Sequence, residues 1–122
     1  MKTGKIKIKE TEYITCFSTR VLIAIEEREG DSTEGLKRIL NDSKLDDLFW
    51  LLAQLIDAGA RYAKMEGLNN PEPLTKDELI DMIGVDEYPS IFGEITQTVI
   101  SGNTPNIETK PLKNAETTPK DE

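Results

Sequence analysis

The segment LDDLFWLLAQLIDAGARYAKME, residues 45–66, decides how this chain folds. Leu45, Leu48, Phe49, Leu52, Leu55 and Ile56 recur at the three- and four-residue spacing of a helix and form one apolar stripe. Trp50, Leu51 and Tyr62 lie off that stripe, so the helix is apolar on more than one face. Such a helix is predicted to sit between other elements as a central strut. Ser43 is placed to open it, with Asp46 three residues on as a capping partner, and Gly67 to close it.

Upstream, Lys5-Ile6-Lys7-Ile8-Lys9 alternates strictly, with isoleucines on one face and lysines on the other, as in a half-buried strand. Residues 12–17, Glu-Tyr-Ile-Thr-Cys-Phe, are rich in strand formers. Glu10-Thr11 between them suggests a hairpin over 5–17, although the Gly-containing turn dipeptides are missing. A lone hairpin is barely stable in water, so its apolar face must lie on the helices.

The remaining elements follow a grammar of capping residue, apolar stripe and stop. Ser18 can cap a helix over 18–29 with Phe17 and Leu22 as a hydrophobic staple; Val21, Leu22 and Ile25 are its buried side, and Gly30 ends it. Asp31 or Ser32 starts a helix over 32–41 with Leu36, Ile39 and Leu40 on one side, ended by Asn41. Pro71 and Pro73 force an extended linker. Thr75 and Glu78 then form a capping box, with Leu74 and Leu79 as staple, for a helix over 76–83 that carries Leu79, Ile80, Met82 and Ile83 and stops at Gly84. A last helix over 87–101 has Pro89 in its first turn and Ile91, Phe92, Ile95 and Val99 at helical spacing, although Thr96, Thr98, Val99 and Ile100 also favour strand. From Asn103 to Glu122, Pro105, Pro111 and Pro119 alternate with polar residues, and the composition predicts a disordered tail. The fold class expected is α+β, mainly α: a single domain over 1–102, with an N-terminal hairpin packed on four or five helices, followed by the tail.

Composition narrows function by exclusion. Fifteen basic residues face 23 acidic ones, a formal charge of −8, and Lys2, Lys5, Lys7 and Lys9 at the start make the remainder still more acidic. Nucleic-acid binding needs cations to displace phosphate counterions, so that class is disfavoured, whereas solubility or a basic partner protein suits the balance. The 122-residue chain has no histidine, which removes the commonest general base and transition-metal ligand. Cys16, the one cysteine, allows no intramolecular disulfide and reads as a buried structural residue of a reducing cytoplasm. The glycines are scattered and form no phosphate loop. The acidic clusters Glu26-Glu27-Glu29, Asp46-Asp47 and Asp77-Glu78-Asp81 read as a solvated face or as favourable charge in first helical turns. The longest apolar run, Leu48–Ala53, is about a third of a membrane span, and no secretory signal is visible. The expectation is a cytosolic protein that binds other proteins and catalyses nothing, with no cofactor and no metal. For Trp50, both burial in the core and service as an interface anchor fit. If one partner-binding surface is named, it consists of the large side chains off, or at the ends of, the stripes: Trp50, Leu51, Tyr62, Tyr88 and Phe92.

The run Ile14-Thr15-Cys16-Phe17-Ser18-Thr19-Arg20-Val21-Leu22 leads into Ile25-Glu26-Glu27-Arg28-Glu29-Gly30, and a helix with Phe49-Trp50-Leu51-Leu52-Ala53 at its centre follows. With the Lys- and Ile-rich hairpin, the Pro-rich linker and the two short helices, this order over residues 5–102 resembles the tail assembly chaperones of long-tailed bacteriophages and prophages. The likeness is one of pattern, since that family has no catalytic signature. It implies a protein of the host bacterial cytoplasm that binds the tape measure protein, keeps it soluble during tail assembly, self-associates and is absent from the mature virion. It also implies a longer frameshifted form that contacts the tail tube protein, for which the segment after Asn103 would be a linker. Two other classes stay open: a structural head–tail connector or tail completion protein, and a small acidic inhibitor of a host protein.

Overall fold

The computed structural model describes residues 3–42 and 44–103. Thr3–Ile8 (β1) and Thr11–Cys16 (β2) pair antiparallel with Ile6 opposite Tyr13 and Ile8 opposite Thr11. The alternation read from the sequence holds: Ile6 and Ile8 are buried, and Lys5 and Lys7 are exposed. The register leaves Lys9 and Glu10 as a two-residue turn, and both have positive φ, 50° and 69°. That is the geometry of the tight turn whose twist suits a hairpin, carried here by residues with a side chain to accommodate. Lys9→Asn combined with Glu10→Gly is therefore expected to raise stability by roughly 1–2 kcal/mol, measured as a higher urea midpoint at unchanged slope.

Among the described residues five helices follow: Thr19–Glu29 (α1), Ser32–Asp42 (α2), Leu45–Glu66 (α3), Lys76–Met82 (α4) and Tyr88–Asn103 (α5). Helix α3 touches β2, α1, α2 and α4, while α5 lies on the hairpin, chiefly on β1. Leu51, Leu52, Leu55 and Ile56 have no exposed surface, which is what a helix surrounded by neighbours requires. Gly59 permits the closest of these approaches: a Cβ there would overlap the carbonyl group of Ile14 and stand 2.9 Å from Thr15 Cα. The open edge of β2 is partly closed from the linker, where Asn70 Oδ1 accepts from the Ile14 N–H at 2.9 Å.

The end signals are only partly as read. Gly30 and Gly67 close α1 and α3 in the left-handed conformation. Thr75 and Glu78 form both bonds of the capping box, at 3.2 and 2.8 Å. Ser18 occupies the N-cap of α1 but its side chain makes no capping bond, and Asp31 does make one, accepting from Glu34 N at 2.9 Å. Lys44 takes the N-cap of α3, while Ser43 lies outside the described residues. Leu45, expected on the buried stripe, is 47% exposed, because the first helical position sits at the rim. Ile80 is likewise exposed rather than buried. Helix α2 runs one residue past Asn41, and α4 ends at Met82, one residue short of the expected end, because Ile83 turns extended ahead of Gly84. The 87–101 segment is helical, and its first and last residues each lie within two of those expected. Residues 104–122, most of the expected tail, lie outside the described residues.

Candidate protein-docking groove

Helices α1 and α3 lie side by side and leave a shallow groove of about 790 Å³ between them. Ile23, Ala24 and Glu27 form the α1 wall, and Trp50, Gln54 and Asp57 form the α3 wall. Past Thr19 and Arg20 the groove continues into a second cleft of about 600 Å³, lined by Arg61, Tyr62, Lys64 and Met65. On α3 the lining residues 50, 54, 57, 61 and 65 recur every three or four positions, so they trace one face of the helix. At 1.5 Å per residue that face is roughly 22 Å long.

Two aliphatic side chains stand open along it: Ile23 is 50% exposed and Met65 71%. Trp50, at the opposite end of this face from Met65, is half-buried against the core, with the guanidinium of Arg28 4.6 Å from its ring centroid. Arg28 also reaches Asp47 at 2.8 Å and Glu29 at 3.3 Å. Arg38 then bonds the Glu29 carboxylate at 3.2 Å and the Glu29 carbonyl at 3.0 Å. The network fastens the end of α1 to α2 and α3, satisfies a terminal helix carbonyl, and holds one wall of the groove in place.

Three carboxylates of the acidic clusters are taken up in the same way. Glu29 and Asp47 are taken up by arginines, and Asp46 accepts from Lys76 Nζ at 2.8 Å, tying α4 to α3. That hydrogen bond holds the Asp46 carboxyl below its ordinary value against a small desolvation cost, and the charges of Lys76 and Arg28 add to it. The favourable contribution is present above the carboxyl's unfolded pKa and is lost as pH falls through the depressed folded value. Burial pushes the Cys16 thiol up, away from the thiolate a nucleophile needs. Among the described residues no group of three His, Cys, Asp or Glu side chains is placed to hold a metal ion, and no helix is long and apolar enough to cross a membrane.

The five residues chosen from the sequence do not form one surface. Trp50 and Tyr62, both half-buried, line the two connected clefts. Leu51 has no exposed surface and cannot meet a partner, because its position on α3 turns it into the centre of the molecule. Tyr88 and Phe92 join a separate aromatic cluster, with ring centroids 5.7 Å apart, and Phe92 stands edge-on to Phe49 at 5.2 Å. Phe92 thereby links α5 to α3. The residue missed was Ile23, and its signal was present: an apolar side chain left off the Val21, Leu22, Ile25 side of α1.

Comparison with known proteins gives no match. No family model, curated protein or solved structure aligns significantly with the chain.

Proposed function

We propose that this protein is a phage tail assembly chaperone that binds the helical tape measure protein along the groove between α1 and α3. The observation that supports a protein-docking role is the groove itself, roughly 22 Å long on its α3 side, with half-buried Trp50 at one end, open Met65 at the other, Gln54, Asp57 and Arg61 between them, and Ile23 open on the α1 wall. A groove of that length between two helices suits a third helix laid into it, with apolar anchors spaced by turns. The chain's formal charge of −8 would keep the loaded complex in solution. The choice of tape measure protein as partner is supported by the pattern resemblance over residues 5–102. Self-association and contact with the tail tube protein through a longer product belong to the same reading.

Co-expression with the tape measure protein tests it, scored by the fraction of that protein left in solution after centrifugation. The wild-type chain is expected to raise that fraction. Ile23→Asp, at an exposed position, is expected to change folding stability by no more than about 0.5 kcal/mol while weakening partner binding about tenfold. A tape measure protein that precipitates equally with and without the chain would reject the reading. Finding the chain in purified virions would favour a structural connector instead.

A further inference from the structure

We propose that the Met65 end of the groove docks a carboxylate-bearing face of the partner's helix, with Arg20 and Lys64 as the recognition cations. Among the described residues most basic side chains of this acidic molecule are already neutralised. Lys5, Lys7, Arg28, Lys37, Arg38, Arg61 and Lys76 sit in ion pairs of between 2.8 and 3.8 Å. Among the described residues Arg20 and Lys64 have no such carboxylate, and both line the same cleft beside Arg61 and Met65. The other two cations without one lie elsewhere: Lys9 in the hairpin turn and Lys44 ahead of α3.

The cleft is lined by three cations and no carboxylate, whereas the formal charge of the chain is −8. Arg61 is partly satisfied by Asp57, at 2.9 Å on its own helix, which leaves Arg20 and Lys64 as the free pair. Both are exposed, so neither is held there by burial. Met65, 71% exposed in the same cleft, adds an adaptable apolar contact. A ligand that fits must offer carboxylates next to aliphatic groups on one helical face. An acidic amphipathic helix has that composition, and a basic segment would be repelled. The proposal rests on the groove being a protein-docking surface and specifies the charge of what docks there.

The test uses the full chain and a synthetic helical peptide of about 15 residues, long enough to span the groove, with leucines on one face flanked by glutamates. Two further peptides replace the glutamates by glutamine or lysine, and binding is read by fluorescence anisotropy. The glutamate peptide is expected to bind best. Reversal of both cations, Arg20→Glu with Lys64→Glu, should weaken it about tenfold and improve binding of the lysine peptide. Arg20→Gln with Lys64→Gln serves as the comparison if the reversed chain fails to fold by circular dichroism, and should also lose the preference for glutamate. Equal binding of all three peptides, or a glutamate preference unmoved by either double variant, would overturn the proposal. So would tighter binding of a single-stranded oligonucleotide than of the glutamate peptide. In the first of these cases loss of binding in Ile23→Asp would leave the groove itself standing, so the two readings fail separately.

Discussion

Replacing Gly59 with alanine is expected to cost at least about 3 kcal/mol, a large part of the roughly 5–10 kcal/mol available to a domain of this size. In an ordinary helix the same change would gain about 0.5–1 kcal/mol, since alanine loses less backbone freedom on folding. The sign reverses here because the space is occupied by backbone. The added methyl would overlap the carbonyl carbon and oxygen of Ile14 and press on Thr15 Cα, and none of these atoms can rotate aside as a side-chain tip can. Strand β2 would have to lift from α3, and the Ile14–Asn70 hydrogen bond lies on the same stretch of strand. Gly93 supplies the control: it lies in α5 with nothing within 4 Å of the added Cβ, so Gly93→Ala should stabilise. Thermal unfolding followed by circular dichroism distinguishes the two. A Gly59→Ala melting temperature at or above wild type would show that β2 does not cross α3 at this point.

Leu51→Ala is expected to cost about 2–5 kcal/mol, the range for emptying a fully buried leucine site. Its neighbour in sequence should behave differently. Trp50 is half-buried, and its ring faces Arg28 at the edge of the groove, so Trp50→Ala removes a contact of the proposed docking surface along with some packing. Partner capture measured at low temperature, where both variants are folded, should fall with Trp50→Ala and persist with Leu51→Ala. Melting temperature should fall further with Leu51→Ala. If Leu51→Ala abolishes capture while the chain is still folded by circular dichroism, the assignment of this residue to the core alone is wrong.

The contrast between these adjacent residues shows where sequence reading stopped. Periodicity identified α3 and the fact that it is apolar on more than one side, because a helical stripe is a local pattern. It could not say which off-stripe residue met another element and which met solvent. Leu51 and Trp50 are about 100° apart on the helix, and only the positions of β2, α1 and α2 around α3 separate them. Tyr88 and Phe92 were surface candidates for the same reason, and their half-buried packing, Phe92 on Phe49 and Tyr88 on Phe92, follows from where α5 returns to the molecule. Cap assignments divide along the same line. Thr75 and Glu78 lie three residues apart and satisfy each other locally, whereas Ser18 has the right position without the bond.

By itself, then, the sequence determined the hairpin, five helices and their approximate ends, because alternation, helical spacing, prolines and left-handed glycines act within a few residues of one another. It also disclosed an acidic chain without histidine, which made protein binding the expected kind of function. Only the tertiary structure decided that Gly59 is where strand meets helix, that Leu51 is core, and that Ile23 is open. It also decided that Arg20 and Lys64, 44 positions apart by their numbers, share one cleft. Those facts depend on contacts between distant segments. Burial and the pairing of charges are properties of the assembled surface, and no local pattern carries them.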